Sequence, residues 1–296
     1  MRVTHSAVAA VLIFGLTTSA HAQSAGDPPP EAPGTAATAP APAPAQDDDP
    51  DRDVNLAQPD FTLGVLPTTL RVPRHKSSFR VTHRFARPLG RGDFGDLLND
   101  LFGLDNGAII GLEYRFGLFR GTQIGVHRTS GKTIQFFAQH DLVAQSDDFP
   151  LGIDILAAVE GIDNFRDEHS PTLGLLLSRE IGQHAAFYIE PMFVGNTNPF
   201  DVSAGAEPRD KNTFIVGLGT RIRIRPTTYL VLEGAPHTGY EDGAAHLSFA
   251  LEKRAGGHLF QLNFSNHFGT TFAQIARGGR TYDDWYMGFN ISRKFF

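Results

Sequence analysis

The chain ends Trp285-Tyr286-Met287-Gly288-Phe289-Asn290-Ile291-Ser292-Arg293-Lys294-Phe295-Phe296, and this stretch decides the fold. Trp285, Met287, Phe289 and Ile291 alternate with Tyr286, Gly288, Asn290, Ser292 and Lys294; Arg293 interrupts the apolar phase and Phe295 resumes it. Side chains of a strand point alternately to its two faces, so this pattern gives one face to lipid and one to water. A membrane-crossing strand needs about 9–11 residues, which the stretch supplies.

The same alternation recurs upstream. Ala108, Ile110, Leu112, Tyr114, Phe116 and Leu118 oppose Gly111, Glu113 and Arg115. Phe214, Val216, Leu218, Thr220, Ile222 and Ile224 oppose Gly217, Gly219, Arg221 and Arg223. A helical period would scatter these polar residues around the surface. Twelve segments fit: 79–87, 108–118, 121–129, 132–142, 151–160, 170–179, 184–195, 212–225, 227–237, 243–253, 257–266 and 283–295. In the sixth, Leu173, Leu175, Leu176 and Leu177 blur the phase. The fold expected is all-β: a membrane-spanning, antiparallel, up-and-down β-barrel of about 12 strands, its backbone satisfied by closure.

Connection lengths predict orientation. Those near residues 119–120, 143–150, 180–183, 225–226 and 254–256 are mostly short and read as periplasmic. Those at 88–107, 161–169, 196–211 and 267–282 are long and read as external, while 129–131 is short on the external side. Phe94, Leu97, Leu98, Leu101 and Phe102 recur at helical spacing, so 94–103 is expected as an amphipathic helix that caps the mouth, lies on the membrane surface or blocks the bore. A second helical turn is expected at 270–276.

The N-terminus reads as an export signal. Arg2 precedes an apolar run, and Ser19-Ala20-His21-Ala22 supplies a cleavage site before Gln23, giving a signal peptide over 1–22. Residues 23–60 read as a disordered Pro/Ala-rich acidic linker, with eight acids and one base. Residues 61–296 are the barrel domain, with 24 acids and 24 bases. Neutrality of that domain leaves no basic footprint for nucleic acid. The chain has no cysteine, which rules out disulfides and thiolate metal sites.

On the polar faces fall Arg80, Arg84, Glu113, Arg115, His127, Glu160, Glu190, Arg221, Arg223, Glu233, His246 and Glu252, the candidate lumen-facing residues. They suit either an ion-conducting bore or a closed network of salt bridges. No H-x-x-x-H or H-E-x-x-H pair occurs, so no metal site, cofactor or catalytic residue is assigned.

Val81-Thr82-His83-Arg84-Phe85, Leu101-Phe102-Gly103-Leu104-Asp105, Gly111-Leu112-Glu113-Tyr114, Arg128-Thr129-Ser130-Gly131-Lys132-Thr133, Gly256-Gly257-His258-Leu259-Phe260-Gln261-Leu262 and Gly288-Phe289-Asn290-Ile291-Ser292-Arg293 together resemble an uncharacterised bacterial outer-membrane β-barrel family, domain of unknown function number 5777. The resemblance spans about residues 75–296. It implies a Gram-negative outer membrane, contact with its lipids and insertion by the barrel-assembly machinery, and brings no activity with it.

Three functional readings follow. The first is a porin-like passive channel for small polar solutes. The second is a closed structural barrel, or one that binds a ligand or partner without transport. The third, an outer-membrane hydrolase, would need a serine held beside a histidine: nothing fixes Ser130, Ser178 or Ser248 so, and Ser170 adjoins His169 only as a sequence neighbour in a loop, which does not by itself make a nucleophile–base pair. The chain is therefore read as a non-enzyme. Its oligomeric state is not legible.

Overall fold

The computed structural model describes residues 53–197, 212–239 and 243–296. The expected signal peptide, the linker up to residue 52 and most of the 196–211 loop lie outside the described residues.

Twelve long antiparallel strands form a closed meander. They are β1 (Ser77–Phe85), β2 (Ala108–Phe119), β3 (Thr122–Thr129), β4 (Ile134–Val143), β5 (Gly152–Ile162), β6 (Asp167–Ile181), β7 (Ala185–Val194), β8 (Thr213–Arg225), β9 (Thr228–Ala235), β11 (His246–Ala255), β12 (His258–Ser265) and β13 (Tyr286–Phe295). The two-residue β10 (His237–Thr238) continues β9 beyond Pro236 and pairs with β8. Each strand pairs with its neighbours in sequence, and β1 pairs with β13 in the register Val81↔Ile291 to close the sheet. Every strand edge is thereby used, as a bilayer requires.

Burial follows the sequence alternation. Along β13, Tyr286, Gly288, Asn290 and Ser292 are buried, while the alternate residues are partly or fully exposed. Ile110, Leu112, Phe136, Leu173, Leu175, Phe187, Phe249, Leu251 and Phe260 project outward as an apolar belt. In β6 the blurred phase resolves: Leu176 points in, while Leu173 and Leu175 point out. The connection expected over 161–169 shrinks to 163–166, because β5 and β6 extend to a tight turn in which Asp163, Asn164 and Phe165 take positive φ.

Two helices lie in the outer connections. α1 (Phe94–Asn99) opens on a capping box between Asp93 and Asp96, and its acidic residues complement the exposed N–H groups. None of its residues is buried, and Phe94, Leu98 and Leu101 are exposed, so the 94–103 segment does not block the bore. α2 (Phe272–Arg277) falls where a helical turn was expected, and it buries Phe272, Ala273, Ile275 and Ala276. These side chains join Leu63, Leu66, Leu156, Leu176, Met192, Ile215 and Val231 in one apolar cluster. The core of this protein therefore lies inside the bore.

Candidate functional site in the barrel lumen

The segment before β1 occupies the lumen. Phe61, Leu63, Val65, Leu66 and Val72 are apolar but too interrupted, by Gly64 and Pro67, to make a lipid-facing strand. The chain instead folds on itself. Leu63 N–H donates to Leu66 carbonyl (2.8 Å), Thr68 N–H donates to Phe61 carbonyl (2.9 Å), and Thr62 bridges Pro67. The result is a hairpin that rises from the short-turn rim and returns to it. Asn55 donates to Glu180 at that rim, and Arg71 pairs with Asp141 there at 3.0 Å. Ala57, Gln58 and Asp60, within the stretch read as linker, are buried beside it.

Wall glycines make room for the hairpin. A Cβ on Gly219 would lie 2.2 Å from Leu63 Cδ1, one on Gly217 would lie 3.1 Å from Leu66 Cδ2, and one on Gly117 would lie 2.2 Å from the Pro73 carbonyl oxygen. Each fully buried apolar side chain of the hairpin contributes about 1.5–3 kcal/mol through area removed from water, against about 1–2 kcal/mol per residue of lost backbone freedom.

Buried wall residues satisfy the hairpin backbone. The Gly64, Val65 and Leu66 N–H groups donate to the Glu233 carboxylate at 2.9–3.2 Å. Ser248 Oγ donates to the same carboxylate (2.9 Å), and His246 Nε2 lies 2.8 Å from it. Arg80 donates to the Gly64 carbonyl, Gln261 to the Leu63 carbonyl (3.0 Å) and Gln139 to the Thr68 carbonyl (2.8 Å). Arg221 holds Glu252 through two bonds (2.8 and 2.9 Å) and donates to the Thr62 carbonyl (2.6 Å). Buried charges and amides are costly unless paired, and the hairpin backbone supplies part of the pairing.

α2 closes the opposite end. Phe272 N–H donates to Gln135 (2.9 Å), Ala273 N–H to Glu160 (3.3 Å), and Thr270 Oγ1 meets His127 Nε2 at 3.3 Å. Arg277 donates to the Thr197 carbonyl (2.7 Å). Next to α2, burial and the positive charge of His246, Arg84 and Arg277 push the His267 imidazole down to about 3.

Eleven of the twelve sequence-derived candidates are buried. Glu113 gathers Arg115 and His127; Arg221 takes Glu252; Glu233 takes His246. Glu160 serves α2 and Arg80 serves the hairpin. Arg84 and Glu190 are fully buried, and among the described residues their charged groups have no hydrogen-bond partner. Arg223 is half-buried and donates to the Pro226 carbonyl at the short-turn rim. Strand alternation puts Gln261 on a polar face, but it does not reveal the hairpin that Gln261, Gln139 and Gln123 bind. The readable signal for them was a short apolar run carrying Gly64 and Pro67 just ahead of the first strand.

Of the serines weighed for hydrolysis, Ser248 bonds Glu233, Ser178 lies 2.6 Å from Thr69, and Ser170 donates to the Asn196 carbonyl. Ser130 accepts from Ile110 N–H. Among the described residues, no group of three or more His, Asp or Glu is placed to hold a metal ion.

The fold is similar to that of solved porins. The NanC porin superposes with a TM-score of 0.50 at 9% identity, over 75% of this chain and 99% of that one. The KdgM porin, solved in complex with disordered oligogalacturonate, gives 0.46 at 8% identity, over 75% and 99%. Outer membrane protein Omp33 of Acinetobacter baumannii gives 0.40 at 8% identity, over 75% and 98%. No curated protein matches the chain. A closed twelve-strand barrel with a lipid-facing belt places the protein in the outer membrane. Over residues 61–295 it matches a family profile described as a membrane bound beta barrel domain, and the chain belongs to that family, DUF5777.

Proposed function

We propose that the protein is a porin-type conduit for small polar solutes, held closed in the conformation described here by its own N-terminal hairpin. The observation that carries this reading is the hydrogen bonding of residues 60–68 across the bore to Glu233, Gln261, Arg221 and Gln139. A purely structural barrel would fill its bore more simply with wall side chains. Here a detachable segment fills it, and the wall keeps a polar lining beneath.

Planar-bilayer recording tests the proposal. Three proteins are compared: the mature chain, a variant with residues 57–70 replaced by a short Gly-Ser linker, and a variant that also lacks α2. The mature chain is expected to be mostly silent, the hairpin-less variant to give discrete steps, and the double variant larger ones. A folded double variant without current would leave the closed binding barrel as the correct reading. Steady large currents from the mature chain would show that the hairpin is no barrier.

A further inference from the structure

Between the hairpin tip and the 267–277 loop lies a group of polar atoms that the closure does not use. Arg84 stands at its centre. Its side chain is 0% exposed, and among the described residues Nε and both Nη atoms have no hydrogen-bond partner. Its stem passes over Gly288, where a Cβ would lie 2.8 Å from Arg84 Cδ and 2.6 Å from Asn263 Oδ1. The Asn263 oxygen is likewise unpartnered, as is His246 Nδ1. Glu233 is the nearby acid, but its oxygens already serve three backbone N–H groups, Ser248 and His246. Arg80 and His267 bring no acceptor charge.

A buried guanidinium carries five N–H donors in a planar fork and cannot shed its charge as a lysine can. Left without an acceptor it is expensive, and an orphaned buried group of this kind calls for a functional explanation, of which a bound ion is one. Water supplies acceptors but no charge. A carboxylate supplies both, with two oxygens spaced to match the fork.

We propose that Arg84 is an anion subsite of the lumen, its guanidinium fork taking the carboxylate of a small organic acid. The proposal builds on the conduit reading by naming the charge class of its solute.

The test uses full mature protein labelled with 15N-arginine, refolded in detergent micelles free of chloride. Acetate is the probe, present during refolding so that closure does not bar entry. The Nε–H resonance that disappears in Arg84→Gln is expected to shift saturably with acetate. Arg84→Lys should keep charge but lose the fork, weakening binding about ten- to hundredfold. If the Arg84 resonance of the folded wild type ignores acetate up to about 100 mM, a range that covers weak millimolar affinities, the site is overturned. The conductance experiment separates the two ideas. Saturable binding with a silent double variant keeps the site and removes the conduit. Currents without binding do the reverse.

Discussion

At the scale of single residues, the closure depends on side chains that are missing as much as on those present. Gly219 faces Leu63 with no Cβ between them, so a larger residue there competes directly with the hairpin. The chain has no cysteine, which permits a clean probe. Val65→Cys, buried at the hairpin tip, is expected to react slowly with a soluble maleimide. Adding Gly219→Val should accelerate labelling about five- to 150-fold, since overpacking of 1–3 kcal/mol acts on the docked state. Equal rates in the two proteins would mean that Leu63 is not seated on Gly219. Arg84 and Glu190 mark the limit of what alternation can say. Their phase identified them as inward-facing, yet whether an inward charge finds a partner depends on strands far apart in sequence.

At the scale of elements, the strands were legible because lipid on one side and a wet bore on the other impose a two-residue period. Segment limits fall within a few residues of those expected, and even β6 obeys the period once Leu176 is seen to pair with Asp154 across the β5 ladder. The elements within the bore follow no such rule. α1 has the stronger helical pattern and stays outside, whereas α2, with less pattern, is buried because its small Ala273 and Ala276 permit close packing. The loop carrying α2 should respond to acid. Its His267 is neutral down to about 3 when docked, against 6.5 when free. Between those values the undocked loop binds a proton that the docked loop does not, so docking weakens as pH falls from about 6.5 toward 3. Proteolysis within 267–282 is expected to be faster at pH 4 than at pH 7, and His267→Gln should flatten that difference. An unchanged pH response in His267→Gln would assign it elsewhere.

At the scale of the whole molecule, the strand pairing of the wall is complete without its contents. The wall closes through β1 and β13 without using the hairpin. Removal of residues 23–60 after the signal is therefore expected to leave a barrel that inserts and shows heat-modifiable migration. The same deletion removes the Asp60–Ser292 and Asn55–Glu180 bonds and should loosen the hairpin, read as faster labelling of Val65→Cys. Loss of heat-modifiable migration in an exported truncation would make residues 23–60 part of barrel assembly. The hairpin also has a property of pure connectivity. Both of its legs lie at the rim where β1 begins, so among the described residues the hairpin enters and leaves the ring on one side. On the conduit reading, its departure would break no pairing between the barrel strands, so filling and emptying the bore would be a change of contents and not of fold.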